Sequence, residues 1–244
     1  MTISQAWKYY KGFRFSWKSV IHLICFTSLV FFIHYTCNRF ETAEYFPIKE
    51  VNIAGMQHVS QAEAQHLLLP LVSKGFFSVS VDQIKENLAQ FPWVAEASVR
   101  RVWPNQLFIQ VTEKTPLALW NGEKILSASG QLFSPARNTY PEGLPEFVGP
   151  EGVQLKMMEN YAQVTRVLAP LHFKVTRFEM SPAHTWSLML NNGIKLNIGH
   201  KDILTRVADF VKVYPKIIGD RADKVDSVDL RYSNGLAVRW KTIA

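Results

Sequence analysis

The chain has 244 residues, of which 48% are hydrophobic, and this is enough for one or two domains that bury their own cores. Its formal charge of +7 lies mostly at one end, because residues 1–18 hold Lys8, Lys11, Arg14 and Lys18 and no acidic residue. Setting these four and Arg39 aside leaves 22 of the 27 basic residues against 20 acidic ones. A nucleic-acid binder needs a basic stripe that neutralises phosphates, so this balance argues against such a partner.

An apolar run without formal charge extends from Val20 to Cys37. As a helix it would be about 27 Å long, close to the hydrocarbon core of a bilayer at about 30 Å. Basic residues precede the run while Glu41 and Glu44 follow it, and this asymmetry predicts a cytoplasmic N-terminus and an external body. A cleaved signal peptide shares the polarity, but the run lacks an A-x-A-like cleavage site, which favours an uncleaved anchor. We expect a cytoplasmic tail over 1–19, a transmembrane helix over 20–37 and a linker over 38–45.

The stretch after the linker predicts a strand followed by a helix. Apolar residues alternate from residue 46 up to Gly55, as in a half-buried strand. Ser60 stands three residues before Glu63, which is the spacing of a capping box, so a helix starts there. We expect this helix to end near Leu69, since Pro70 follows.

A second helix and a hairpin come next. Ser80 and Gln83 form another capping box, and Pro92 should stop the helix that follows them. Apolar residues alternate over 95–99 and again over 107–111, on either side of a Trp-Pro-Asn corner, and this predicts a hairpin. The order strand, helix, helix, strand, strand predicts an α+β unit with helices on one face of a small sheet.

The second half of the chain is predicted to consist mostly of strands. Turn signals between apolar runs occur at Asn121-Gly122, Ser129-Gly130, Asn192-Gly193 and Ser233-Asn234-Gly235. Two amphipathic stripes predict helices that each place one side in the core. The stripe of the first helix is Leu155, Met158, Ala162 and Thr165, and that of the second is Leu204, Val207, Ala208, Val211 and Tyr214. The last two apolar runs, VDSVDLRY and LAVRWKT, predict a terminal hairpin whose final strand offers an open edge to another chain.

Three segments carry a resemblance to a known family: FPIKEVNIAG, FPWVAEASVRRVWPNQLFIQVTEKTPLALW and VDLRYSNGLAVRW. They resemble the FtsQ/DivIB family of cell-division proteins, and the part from Pro92 to Trp120 is diagnostic. The resemblance implies a POTRA domain with a β-α-α-β-β order, which we place at 46–115. It also implies a C-terminal, mostly antiparallel β domain with two helices at 116–244. The expected fold class is therefore α+β with a single N-terminal transmembrane helix.

The resemblance also implies a function and partners. Family members are non-enzymatic divisome scaffolds that bind FtsB, itself in a coiled coil with FtsL, by strand addition, and help to regulate septal peptidoglycan synthesis by FtsW and FtsI. The implied location is the inner membrane at the division septum, with a periplasmic body. The matching FtsB-binding positions are Arg231, Tyr232, Ser233, Asn234, Gly235, Leu236, Ala237, Val238, Arg239 and Trp240. A second implied surface, linked to recruitment by earlier proteins including FtsK, contains Val99 and Arg101.

Motifs for catalysis or cofactor binding are not found: there is no G-x-S-x-G, G-x-G-x-x-G, P-loop or H-E-x-x-H. We therefore expect no enzyme activity, no cofactor and no metal. The carboxylates at Asp220, Asp223, Asp226 and Asp229 lack a calcium-loop pattern and are predicted to be solvated turn residues. Two alternatives stay open: a POTRA-type component of polypeptide transport or outer-membrane assembly, and an anchored periplasmic hydrolase.

Overall fold

The structure is a computed structural model that describes residues 17–40, 46–232 and 235–241, with backbone alone for 37–40. Helix α1 spans Trp17–Phe40 and is longer than the predicted 20–37, because no proline or glycine interrupts backbone hydrogen bonding at either flank. Within the described residues, Trp17–Thr36 is the one stretch long and apolar enough to cross a membrane, and its side chains are not buried by the chain itself. This helix fits a single-pass membrane protein.

Backbone contacts divide the chain into two compact units, which we describe separately. The first unit includes Ser60–Leu88 and Ala97–Val111, together with the chain up to Ala54. The second unit includes Thr112 onward, with two short pieces from earlier in the chain, Gly55–Val59 and Ala89–Glu96. Neither unit is therefore a single continuous stretch of sequence.

The first unit has the predicted order of elements. Its elements are β1 (Glu50–Ala54), α2 (Gln61–Val72), α3 (Val81–Ala89), β2 (Val94–Val102) and β3 (Gln106–Glu113), although the last residue of α3, the start of β2 and the end of β3 fall in the second unit. The strands lie in the order β1-β3-β2, and β1 runs parallel to β3. Alternate residues of β3 are buried together with apolar residues of both helices, namely Leu107, Ile109 and Val111 with Ala64, Leu68, Ile84 and Leu88. This confirms the predicted β-α-α-β-β unit.

The ends of the two helices depart in part from prediction. Helix α2 passes through Pro70 and ends at Val72, so the predicted end near Leu69 is wrong. Pro70 lies in the last turn, where it removes a single backbone donor, and the Ser73 N–H still donates to the Leu69 carbonyl at 3.1 Å. Ser60 makes no side-chain cap bond, whereas the predicted cap of α3 is present, because Gln83 N–H donates to the Ser80 hydroxyl at 3.3 Å.

The second unit contains a mixed sheet with two helices. Its elements are β4 (Pro116–Trp120), β5 (Lys124–Ser127), β6 (Leu132–Phe133), β7 (Glu146–Val148), α4 (Gln154–Leu168), β8 (Val175–Met180), β9 (Trp186–Leu190), β10 (Lys195–Gly199), α5 (Ile203–Ile217), β11 (Val225–Asp229) and β12 (Ala237–Trp240). Among the described residues the strand order is β12-β11-β10-β9-β8-β7-β4-β5-β6. Most neighbours are antiparallel, while β4 with β7, β7 with β8 and β10 with β11 are parallel. Helices α4 and α5 are the crossovers that two of these parallel pairs require.

The turns of the second unit confirm three sequence signals. Asn121 and Gly122 both have positive φ, at 50° and 74°, and Glu123 N–H donates to the Trp120 carbonyl at 3.1 Å, which is a type I′ turn between β4 and β5. Hydrogen bonds of 2.9 Å also close the turns before β6 and β10. Ser233 and Asn234, in the fourth predicted turn, lie outside the described residues.

The two predicted core stripes fare differently. In α5 the stripe is confirmed, since Val207 is buried and its neighbours on the stripe are half-buried, although Phe210 is the larger buried residue. In α4 the predicted stripe is wrong: Leu155 and Ala162 are exposed, and the buried residues are Met157, Val164 and Leu168. The buried face is rotated because Tyr161, one residue from the predicted position, packs against the aromatic pair Phe147 and Phe178 of the sheet.

A cluster around Trp93 links distant parts of the second unit. The indole of Trp93 stacks on His58 and donates through Nε1 to the Thr139 hydroxyl at 2.9 Å. Glu113 receives the backbone N–H groups of Gln57 and His58 at 2.8 and 2.9 Å, and its other oxygen lies 2.7 Å from His58 Nδ1. The loop between β1 and α2 is thus held by one carboxylate of β3.

Candidate partner-binding edge

The candidate site lies at one end of the nine-stranded sheet formed by the described residues. Strand β12 pairs with β11 on one side only and is the terminal strand of the sheet. The predicted terminal hairpin is therefore present, with the strand beginning at Ala237 and Leu236 just before it. The edge is an unpaired row of backbone donors and acceptors, which is what strand addition requires.

The direction of the peptide groups in β11 follows from its pairing with β10. Leu230 N–H donates to the Asn197 carbonyl of the parallel strand β10 at 2.8 Å. Backbone groups alternate in direction along a strand, so those of Ser227 and Asp229 point away from β10 and toward β12.

The same alternation fixes which groups of β12 face outward. Arg239 and Ala237 are the register partners of the inward-pointing positions of β11, so their peptide groups bond within the hairpin. The N–H of Lys241 also turns inward, since it donates to the carbonyl of residue 224 just before β11 at 2.7 Å. The N–H and C=O groups of Val238 and Trp240 consequently face the open edge.

Two charge pairs brace the hairpin. Arg239 Nε donates to an oxygen of Asp226 at 2.6 Å, and Arg231 holds Asp229 through Nε at 2.9 Å and Nη2 at 2.6 Å. The hydrogen bonds from these arginines lower the pKa of both carboxyl groups below their usual values. Asp226 and Asp229, predicted to be solvated turn residues, lie in β11, where both remain partly exposed and each is paired with an arginine. Asp220 and Asp223 lie in the short 3-10 helix Gly219–Lys224.

Tyr232 is an exposed aromatic residue three positions after the end of β11. Its side chain is 61% exposed, and it lines a groove together with Leu236 and with Asp202, Thr205 and Arg206 from the start of α5. An exposed aromatic ring beside an open strand edge is a typical anchor for a binding partner. Leu236 packs on the main core, which ties the start of β12 to the body of the unit.

Gly199 supports this region in a way that the sequence did not indicate. It has φ +95°, and a Cβ atom there would lie 2.8 Å from Arg206 Nη1 and 3.2 Å from Arg231 Cγ. Arg206 in turn donates to the Ile198 carbonyl. The absence of a side chain at Gly199 thus allows both arginines to pack over the end of β10.

The structure brings most of the predicted edge residues together. Strand β12 is formed by the last four predicted residues, Ala237–Trp240. The chain that leads into it contains Arg231, Tyr232, Gly235 and Leu236, while Ser233 and Asn234 lie outside the described residues. Trp240 is 40% exposed, and the guanidinium of Arg221 lies over its ring at 5.1 Å. The sequence did not indicate the pairing of Asp226 and Asp229 with arginines, and it gave no signal for Gly199 or Arg206. The Asp-x-Arg spacing of Asp229 and Arg231 is the local signal that could have indicated one of the two pairs.

The two residues predicted for the POTRA surface lie on β2 of the first unit. Val99 is half-buried, and Arg101 is exposed but donates through Nη2 to the Val79 carbonyl. Arg101 therefore has a bond within the unit as well as an exposed side chain. In the part of the chain that the structure describes, no three His, Cys, Asp or Glu side chains are grouped so as to hold a metal ion.

Comparison with known proteins identifies two regions. The family model described as "POTRA domain, FtsQ-type" matches residues 46–114. The family model described as "Cell division protein FtsQ/DivIB, C-terminal" matches residues 118–231. The second match stops just before β12. An apolar N-terminal helix, a POTRA unit and a strand-rich C-terminal region define a class of protein that fits a single-pass membrane topology.

Full-length relatives agree with these matches. A protein named "Cell division protein FtsQ" from Coxiella burnetii is 36% identical over 224 residues, which cover 91% of this chain and 90% of the relative. A protein of the same name from Shewanella oneidensis is 33% identical over 92% of this chain and 86% of the relative. The protein of that name from Escherichia coli is 34% identical over 82% of this chain and 75% of the relative. The chain belongs to the FtsQ/DivIB family of cell-division proteins. Membership in this family favours the division function over polypeptide transport.

Proposed function

We propose that the chain is a non-enzymatic scaffold of the divisome that binds the FtsB–FtsL coiled coil through its C-terminal sheet edge. The POTRA domain at 46–115 and the β domain at 116–244 would lie in the periplasm, and together they would help to regulate septal peptidoglycan synthesis by FtsW and FtsI. The observation that carries this proposal is the open edge of β12, where the backbone groups of Val238 and Trp240 face outward, and exposed Tyr232 lies in the connection that leads into this strand.

Strand addition suits this edge for a physical reason. Each backbone hydrogen bond contributes only about 1 kcal/mol net, so a short ladder needs an anchor to give useful affinity. Tyr232 and the groove beside it supply a place for such an anchor. The paired Arg239 and Asp226 stiffen the hairpin before a partner arrives, which reduces the entropy lost on binding.

The charge flanking α1 supports an N-terminus in the cytoplasm and a periplasmic body. A C-terminal alkaline phosphatase fusion should therefore be active, and a fluorescent fusion should accumulate at the septum. An inactive phosphatase fusion would contradict the orientation, and even distribution around the cell would contradict the location.

The decisive experiment changes one backbone donor at the edge. Val238→Pro removes an outward N–H without touching the bonds between β11 and β12, and we expect it to weaken binding of an FtsB fragment at least about tenfold. Val238→Ala is the matched control, since it also loses side-chain packing on the core but keeps the N–H. Binding is measured with the full-length chain in detergent, and circular dichroism verifies the fold of each variant.

The two variants separate the mechanism from a general loss of stability. Weak binding by the proline variant with near-parental binding by the alanine variant supports strand addition. If the folded proline variant binds as tightly as the alanine variant, FtsB does not add a strand at β12, and the proposal fails.

A further inference from the structure

Exposed apolar side chains gather at one end of the first unit, where the chain arrives from α1. Phe76 N–H donates to the Phe46 carbonyl at 2.8 Å, and Lys49 N–H donates to the Asn105 carbonyl at 2.9 Å. These bonds bring the incoming chain, the loop after α2 and the β2–β3 connection to the same end of the sheet. The last turn of α2 also reaches this end, because Leu69 and Ile48 line one groove.

The side chains at this end are unusual for a surface in water. Trp103 is 73% exposed, Leu69 is 61% exposed, and Phe77 is 51% exposed although it packs edge-on against Phe46 at 5.1 Å. Large exposed apolar groups that cluster in this way mark a contact surface. We call the set Leu69, Phe77 and Trp103, with the exposed cations Lys49 and Lys74, the anchor-proximal surface.

The length of the connecting chain limits what this surface can meet. Helix α1 ends at Phe40 and the first unit resumes at Phe46, and six residues span at most about 20 Å even when fully extended. The anchor-proximal surface is therefore held close to the point where α1 leaves the bilayer. Tryptophan, phenylalanine and lysine are the residues that favour the interface between lipid headgroups and water.

We propose that the anchor-proximal surface rests on the bilayer, with Trp103, Phe77 and Leu69 in the headgroup region and the two lysines against anionic lipid phosphates. Glu50, the carboxylate next to Lys49, is exposed and accepts hydrogen bonds from the Asn52 and Gln106 amides, so it offsets one of the two lysine charges and leaves a net positive charge. The contact would fix the orientation of the first unit relative to the membrane plane. This membrane contact does not depend on which protein binds the open edge of β12.

The test compares two labels on one helix of the full-length chain. In a background with Cys25→Ala and Cys37→Ala, a fluorophore is attached at Ser73→Cys, at the end of α2 beside Lys74, or at Ala62→Cys, at its start. The two exposed positions are about 16 Å apart along the helix. Nanodiscs of phosphatidylcholine and phosphatidylglycerol carry a headgroup spin label as the quencher. We expect several-fold more quenching at position 73 than at position 62.

A second variant separates contact from mere tethering. Leu69→Ser combined with Trp103→Ser removes two exposed side chains, so the fold should be preserved, as circular dichroism would verify. We expect quenching at position 73 to fall to nearly the level at position 62. Equal quenching at the two positions in the parent would overturn the proposal and leave the surface to a protein partner. Unchanged quenching in the double variant would also overturn it, since the short connection alone would then explain the proximity.

Discussion

The rings of His58 and Trp93 stack nearly parallel in the second unit, with centroids 4.0 Å apart and planes 13° apart. His58 reaches this position because Glu113 accepts its backbone N–H and lies against its ring nitrogen. The indole face and the carboxylate together hold the loop after β1. Loss of either partner should therefore free the same loop.

Glu113→Gln should lower the free energy of unfolding at neutral pH by about 2 kcal/mol, because a nearly buried carboxylate loses charge-assisted hydrogen bonds. Burial by itself raises the pKa of Glu113, but the hydrogen bonds from the His58 side chain and from backbone N–H groups outweigh it and lower the pKa below 4.5. A carboxyl group whose pKa is lowered in the folded state stabilises the fold at pH values above its ordinary, unfolded-state pKa. This stabilisation is lost as the pH falls through the lowered, folded-state pKa.

Thermal unfolding as a function of pH checks this prediction. The parent should lose stability as pH falls below about 4.5, and Glu113→Gln should lose less over the same range. Glu96→Gln, at an exposed carboxylate of β2, is the matched control and should behave like the parent. Identical pH profiles for the parent and the Glu113 variant would show that this carboxylate does not stabilise the loop.

Gly199→Ala should destabilise the second unit by about 1–3 kcal/mol, since φ +95° is strained for a residue with a side chain. The new Cβ would also displace the Arg206 guanidinium and cost its bond to the Ile198 carbonyl. Gly193→Ala is the matched control, because Gly193 has φ +85° but open space around it. Chemical denaturation should give a larger loss for Gly199→Ala, and equal losses would mean that Arg206 is not held there.

Tyr232→Ala should weaken binding of the FtsB fragment about thirtyfold, the effect of removing an anchor of about 2 kcal/mol. Because the ring is mostly exposed, the variant should keep its stability within about 0.5 kcal/mol. Tyr232→Phe keeps the ring and should retain most of the affinity. Isothermal titration calorimetry of the full-length chain measures all three proteins, and parental affinity in the alanine variant would remove Tyr232 from the interface.

Arg101→Glu should reduce septal recruitment if the basic surface of β2 meets an earlier division protein such as FtsK. The bond from Arg101 to the Val79 carbonyl complicates a simple charge reversal, since its loss alone costs about 1 kcal/mol. Arg101→Gln loses the charge without reversing it, and Arg100→Glu reverses a charge on the opposite face of the same strand. Recruitment in living cells should fall most for Arg101→Glu, less for Arg101→Gln, and not for Arg100→Glu. Equal loss in the Gln and Glu variants would indicate a structural role instead.

Local sequence signals predicted the elements of this chain better than its contacts. The Asn-Gly and Ser-Gly turns carry their own backbone preferences, so Asn121-Gly122 indicated its hairpin without knowledge of the rest of the chain. The phase of α4 was mispredicted because Tyr161 packs against aromatic residues of the sheet, and this contact has no signal in the local sequence.

Contacts between residues far apart in the chain left no pattern to find. His58 and Glu113 are separated by 55 residues, and nothing near either one indicates the other. Gly199 gave no signal for a similar reason, since its requirement comes from two arginine side chains on other elements. The terminal hairpin was predictable from its turn signal, whereas the single neighbour of β12 follows from the strand order of the whole sheet.

Strands β7 to β12 pair in the order in which they are synthesised, each one next to the strand made just before it. During export in the proposed orientation, the sheet would therefore grow one strand at a time, with every new strand templated by the last. Until β12 pairs with it, β11 is the edge strand of the sheet. The outward peptide groups are then those of Ser227 and Asp229, which in the finished sheet bond to β12 and not to a partner. Under the proposed function, a chain halted partway through translocation would lack this edge and could not recruit its partner, so the edge would report completed export.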